Sequence, residues 1–397
     1  MHLRLALWLL SMTTLLAFAT RALAQPLPIQ FFDPSIEAAG MGGASIAAFW
    51  EENPNDHANP ALMGFQSGLR YSYGSTQLVP EFDDEVAYKS HRILAGAWGV
   101  GVAMSGKPIE SIGRIGIEYG PSTITDIDGN EIGVFDAHER IRSFAVGLSV
   151  FDLISSIRVA KGGEPLPLSR RLSLALGHAW KSYETDLAPV ELLPNGHGEG
   201  NNNDAGILLR IAPFDQIGGT LRDANDRMRW KVDVAGAYTR TDYLNDHGIV
   251  YADGSSDDLF EHRSIGASTQ LTAALANDGI GDLWDFATPS IRLSVAWEKI
   301  DVYEEGNKQG DLGNRVGGEI SVLDMLFLRY GHVDGDAFDG EGNTYGGGFQ
   351  LKYRNMVGVK GDFASYPRAG FFSGTEFERW GLTFFVDPYR LMKKGAN

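Results

Sequence analysis

The sequence predicts an all-β protein, an antiparallel transmembrane β-barrel of about 14 strands with an N-terminal hatch inside its lumen. Three observations predict it. The chain opens on an export signal; most of its length alternates apolar and polar residues; and a stretch of small residues precedes the first alternating segment.

The export signal has its three parts. Arg4 supplies a short positive region, and Leu5 to Phe18 is apolar except for Ser11, Thr13 and Thr14. Ala22-Leu23-Ala24 is an A-x-A cleavage site, so residues 1–24 read as a signal peptide cleaved after Ala24. The apolar run is short against the roughly 20 residues a spanning helix needs. No later window offers 18 uninterrupted apolar residues. The chain has no cysteine, which excludes a lipoprotein anchor, a disulfide framework and thiolate metal ligands. Loss of Arg4 and Arg21 takes the net charge from −17 to −19, and so acidic a chain has no footprint for nucleic acid.

The alternation carries the fold. A membrane barrel needs segments of about 10 residues with lipid-facing apolar residues at every second position. Leu172, Leu174 and Leu176 alternate with Arg171, Ser173 and Ala175; Ile291, Leu293, Val295 and Trp297 alternate with Arg292, Ser294, Ala296 and Glu298. Trp380, Leu382, Phe384 and Val386 do the same near the end. A soluble sandwich also alternates, but its strands average about 5–6 residues. The pattern predicts strands over 68–77, 90–97, 99–106, 138–150, 170–185, 202–212, 227–240, 261–276, 290–303, 314–322, 325–333, 343–354, 356–366 and 377–387. The barrel domain is thus 68–387, with a periplasmic C-terminal tail at 388–397. An even count puts both barrel ends in the periplasm, and the odd-numbered connections, taken as extracellular, hold about half of the 51 carboxylates. Connections 151–169, 213–226 and 277–289 are longer than periplasmic turns usually are.

By the same alternation the lumen presents Arg171, Arg229, Lys231, Arg292, Arg315, Arg329, Lys352, Lys360 and Arg379, faced by Asp233, Glu298, Glu319 and Asp362. Residues 25–67 are different in kind. Ala39-Gly40-Met41-Gly42-Gly43-Ala44-Ser45-Ile46-Ala47 is small and suited to close approach to a wall. Asp33, Glu37, Glu51, Glu52 and Asp56 lie in the same segment and are expected to pair with the basic lumen positions, fixing it as a plug.

No catalytic signature survives inspection: there is no G-x-S-x-G, H-E-x-x-H or Walker sequence, so neither an enzyme nor a cofactor is expected. Asp334, Asp336 and Asp339 approach a calcium-loop spacing but are out of register with it, and read as a solvated outer loop.

The G-M-G-G-A stretch at 40–44, followed by Asn59-Pro60-Ala61 ahead of a long alternating chain, resembles the FadL-like superfamily of outer-membrane long-chain fatty-acid transporters. Asn314 to Glu319, Phe327 to Gly331 and Tyr345 to Phe349 are similar to its PorV/PorQ-type branch. The resemblance implies a 14-stranded barrel with an N-terminal hatch, and it carries over Gly40, Met41, Gly42, Gly43, Asn59, Pro60 and Ala61 as hatch positions. It implies one of two roles. The first is a passive channel for hydrophobic small molecules; read from this chain alone, Phe82, Phe371 and Phe372 are its candidate capture residues, and Gly346-Gly347-Gly348 is a candidate weak place in the wall, since glycine weakens a strand. The second is an accessory barrel that docks proteins of a secretion system. Outer-membrane lipid is the expected surrounding in either case.

Overall fold

The computed structural model describes residues 32–387 except 51–52, 80–82, 107–114, 126–130, 190–195, 218–227, 242–247, 258, 260, 276–289, 305–306, 336–340, 354–355 and 368–375. The export signal, the C-terminal tail, Glu51, Glu52, Phe82, Phe371 and Phe372 lie outside the described residues.

Long alternating segments pair with their sequence neighbours until the last meets the first. The strands are β1 (Gly68–Val79), β2 (Asp83–Ala97), β3 (Val100–Ser105), β4 (Ile115–Thr125), β5 (Glu131–Ser149), β6 (Leu172–Asp186), β7 (His197–Asp215), β8 (Met228–Thr241) and β9 (Ile249–Tyr251). They continue with β10 (Ser256–Asp257), β11 (Glu261–Leu275), β12 (Ser290–Glu304), β13 (Asn307–Val322), β14 (Leu326–Gly335), β15 (Glu341–Tyr353), β16 (Val357–Pro367) and β17 (Glu376–Val386). β3 and β4 both lie between β2 and β5 and share one place in the wall. β9 and β10 form a small hairpin beside β7. Fourteen staves remain, all antiparallel, closed where Leu69 of β1 stands opposite Val386 of β17. Closure satisfies backbone groups that an open edge would leave exposed.

The wall is inside-out relative to a soluble protein. On β12, Ile291, Leu293, Val295 and Trp297 are exposed, while Ser294, Ala296 and Glu298 between them are buried. β17 repeats the arrangement, with Trp380 at 58 % exposure and Thr383 at 3 %. Alternation with polar residues inward and apolar residues outward is what lipid around a closed wall demands. Among the described residues no helix is long and apolar enough to span a membrane.

The wall is taller than the alternation predicts. β2 begins at Asp83, β7 spans His197–Asp215, and β13 begins at Asn307. Much of the expected loop 107–137 is strand, as β4 and the first half of β5. The reason lies in the phase of the pattern. Ile115 and Ile117 are buried on the inner face, so a search for lipid-facing apolar residues passes over them. The unexplained connection 151–169 contains a helix and, at Pro167–Arg170, one tight turn.

Candidate functional site

Residues 32–50 and 53–67 pack inside the wall and touch its staves in turn. A short helix, α1 (Ile36–Gly40), is capped by Ser35, whose hydroxyl accepts from the Ala38 amide at 3.0 Å. Ile36 lies against Gly74 of β1 and Gly381 of β17. Ala39 then packs on Ala364 of β16, and Gly40 on Gly346 of β15. Gly42 donates to the Thr344 hydroxyl at 2.8 Å, and the amides of Ser45 and Ile46 donate to Glu298 at 3.0 and 3.3 Å. The Ala47 carbonyl accepts from Ser268 of β11 at 2.7 Å. Further along, Asn59 faces Gly206 of β7, Pro60 and Ala61 face Gly177 of β6, Gly64 faces Gly147 of β5, and Gln66 faces Gly96 of β2. Asn59 also caps the turn Pro60–Phe65, accepting from Ala61 at 2.9 Å, and donates to the Ile46 carbonyl at 2.7 Å.

The wall is shaped to receive this backbone. Gly96, Gly101, Gly147, Gly177 and Gly206 stand directly opposite one another in consecutive cross-strand pairs. Across the barrel, Ala296, Gly317 and Gly331 form a second such row. A Cβ on Gly147 would come within 2.6 Å of the Pro60 carbonyl oxygen and the Gly64 nitrogen. On Gly177, Gly317 or Gly331 it would strike the backbone of Ala61, Met41 or Gly42. These glycines admit close backbone approach, a use that sequence periodicity does not reveal. The signal available was one glycine per strand at matching height, visible only once the strands are in register.

Buried charge fastens the segment at two places. Glu37 pairs with Lys360 at 2.7 Å and lies 3.9 Å from Arg329, which itself holds Glu319 and Asp362 at 2.8 Å each. Asp56 pairs with Arg92 of β2 at 2.9 Å, both side chains fully enclosed. Arg379 donates to the Asp33 carbonyl, and Lys181 to the His57 carbonyl at 3.2 Å while pairing with Asp204 at 2.5 Å. Burial, then the charges of Lys181 and Arg92, hold the His57 imidazole well below its ordinary pKa, which keeps it neutral.

On the outer side of the segment the inner wall is apolar over one sector. Leu78, Tyr88, Ile115, Ile117, Ile141, Tyr183 and Ile249 form one buried cluster, against which Phe32 and Phe377 pack. Phe32 stacks on Tyr88 with ring centroids 5.2 Å apart. The sector borders a cavity of about 90 Å³ whose floor is His57 and Ala58 and whose walls include Tyr183, His262, Ile300 and Arg315. The lumen is therefore not uniformly basic.

No protein-family model and no curated protein matches the chain. Solved barrels do. The toluene transporter TodX of Pseudomonas putida is 11 % identical, with 89 % of this chain and 96 % of that one covered and a TM-score of 0.34. The toluene transporter TbuX of Ralstonia pickettii is 11 % identical over 90 % and 99 %, with a TM-score of 0.39. A Pseudomonas aeruginosa FadL homologue is 11 % identical over 90 % and 99 %, with a TM-score of 0.34.

The basic positions expected in the lumen divide into three groups. Arg329, Lys360 and Arg379 touch the N-terminal segment through the bonds above, and Arg315 packs against Gly43. Lys231 pairs with Asp233 at 2.9 Å, while Arg292 and Lys352 both bind Asp324 in a turn at the rim, at 2.5 and 2.6 Å. These three neutralise acids of the wall rather than of the segment. Arg229 is half-buried near the same rim, and Arg171 is exposed just before β6, outside the lumen, because the chain there is still in the preceding turn. Arg92, absent from the expected set, is fully buried and pairs with the segment. Of the expected acids, Glu37 and Asp56 meet lumen cations, and Asp33 accepts instead from Asn55 at 2.6 Å. Asp334 is exposed at the end of β14; Asp336 and Asp339 lie outside the described residues.

Proposed function

We propose that the chain is exported with its leader removed after Ala24 and forms a passive outer-membrane channel for hydrophobic small molecules, with residues 25–67 as its hatch. The observation that carries this reading is the apolar sector of the inner wall, Tyr88, Ile115, Ile117, Ile141 and Tyr183, beside the cavity above the segment. An apolar solute gains roughly 25 cal/mol for each Å² it removes from water. These side chains now cover one another, and the sector becomes a place for an apolar solute when the segment beside it, with Phe32, moves away.

The exit this reading favours is the third stave, where β3 gives way to β4 along β2. β2 pairs with Ile115 at Ser90 and with Met104 at Ile93, leaving His91 and Arg92 between the two halves. Arg92 at this interruption is the residue that holds Asp56. Movement of the segment that releases Asp56 thus acts on the wall where, among the described residues, β3 gives way to β4. Gly346-Gly347-Gly348 is the poorer candidate for an exit, since these glycines pair in unbroken register with Ala364, Phe363 and Asp362.

The test uses the absence of native cysteine. Asn53 donates to Ser72 of β1 at 2.9 Å, which places N53C and S72C within reach of a short bis-methanethiosulfonate, whose two disulfides with the cysteines a thiol reductant cleaves. Vesicles holding the cross-linked double variant are expected to take up labelled fatty acid or toluene far more slowly than the same sample after reduction. Equal uptake in the two states would refute the hatch. Uptake no faster than in protein-free vesicles would refute the channel.

A further inference from the structure

The connection between β5 and β6 carries a second helix, α2 (Val150–Ala160), that is turned the wrong way for a protein in water. Ile154 and Ile157, three residues apart and so on one face, are 43 % and 45 % exposed. Its one fully buried residue is Ser155, whose hydroxyl accepts from the Leu166 amide at 3.0 Å. The helix thus turns a polar side chain to the protein and apolar ones away from it.

Its height is fixed by the wall. The Ser149 amide, at the helix cap, donates to the Gly99 carbonyl at 2.7 Å, beside the tight turn that carries Trp98 at 65 % exposure. Tryptophan at the rim of an apolar belt marks the headgroup level of a bilayer. The helix begins at that level, its first turn lying against Gly99 between the exposed Trp98 and Val100 of the outer face. Beyond it the charge changes sign. Between Val150 and Arg171 the exposed cations Arg158, Lys161, Arg170 and Arg171 outnumber the two acids, Asp152 and Glu164, in a chain whose net charge is −17.

We infer that α2 is a lipid-binding foot. Ile154 and Ile157 enter the acyl boundary of the leaflet at this rim, and Arg158, Lys161 and Arg171 hold the phosphates of anionic phospholipid headgroups. An amphipathic helix with a basic border lies in the interface plane for the same reasons. The inference rests on the membrane-barrel reading above, and it names the lipid class that one rim of the barrel selects.

Site-directed nitroxide labels test it in the full-length protein, reconstituted in vesicles of phosphatidylethanolamine with phosphatidylglycerol. Three single-cysteine variants are compared: I157C on the foot, V295C on the belt and D253C on an exposed turn. Labels at 157 and 295 are expected to collide more with oxygen than with a water-soluble nickel chelate, and the label at 253 the reverse. Replacing Arg158, Lys161 and Arg171 by Glu in the I157C protein is expected to cut the oxygen preference about twofold or more. In vesicles of phosphatidylcholine alone the same replacement is expected to change it little. A label at 157 that behaves like the one at 253, while 295 reports lipid, overturns the foot and leaves the barrel standing. A label at 295 that reports water overturns both. An unchanged preference after the charge reversal overturns the anionic-lipid assignment.

Discussion

Lys360 of β16 and Glu37 of α1 meet at 2.7 Å with both side chains enclosed inside the wall. Around them, three carboxylates (Glu37, Glu319 and Asp362) share two cations, Arg329 and Lys360. The imbalance ranks two substitutions. Glu37→Gln leaves two charges of each sign and a polar group in place, for a loss of about 1–3 kcal/mol. Lys360→Met leaves three carboxylates on Arg329 alone, for a loss of about 3–5 kcal/mol. Urea unfolding in vesicles is expected to place K360M below E37Q in stability, and the opposite order would sink the account of this cluster.

The glycine row predicts a change in permeability. Gly177→Val drives a branched side chain into the Pro60–Ala61 backbone, whereas a Cβ on Gly361 of β16 has nothing within 4 Å. Overpacking costs about 1–3 kcal/mol where neighbours cannot yield. The outcome expected of G177V is a barrel that still folds but leaks small solutes, because the segment is displaced from the wall. G361A is expected to behave as the parent in the same efflux measurement.

The strands were legible because lipid imposes a two-residue period over long segments; Ile291 to Trp297 shows it unaided. Where the inner face is apolar as well, as at Ile115 and Ile117, that period loses its meaning and the strand does not stand out from a loop. The charged lumen was legible residue by residue but not pair by pair. Lys352 and Arg329 look alike in sequence, yet one binds a rim turn and the other the buried cluster. Arg92 falls inside the expected strand 90–97, yet nothing local marks it as a lumen cation, because its partner, Asp56, lies 36 residues earlier. The glycine row was hidden for a related reason, since matching heights on different strands exist only after folding.

The pair Arg92–Asp56 predicts a trade between stability and transport. Asp56→Asn removes the carboxylate and leaves the buried guanidinium with weaker acceptors, among them the Pro54 carbonyl at 3.3 Å. A loss of about 3 kcal/mol or more is expected from stranding the charge. If the segment is held shut here, uptake of hydrophobic solute should rise in D56N even as the unfolding midpoint falls. A lower midpoint with unchanged uptake would assign the pair to structure alone.

The belt itself sets a gradient of costs. Val295 lies within the exposed row of β12, from Ile291 to Trp297, while Leu326 opens β14 at the rim beside the Leu323–Asp324 turn. An arginine on the lipid face costs about 2–4 kcal/mol at the midplane and about 0–1 kcal/mol near an interface. V295R is therefore expected to lose several times more folding free energy in vesicles than L326R, although Leu326 is the more exposed of the two, at 53 % against 42 %. In detergent micelles, where charge reaches water at less cost, the two should converge. Equal losses in vesicles would mean that this outer face does not see a bilayer. The apolar alternation would then need a different partner to cover it.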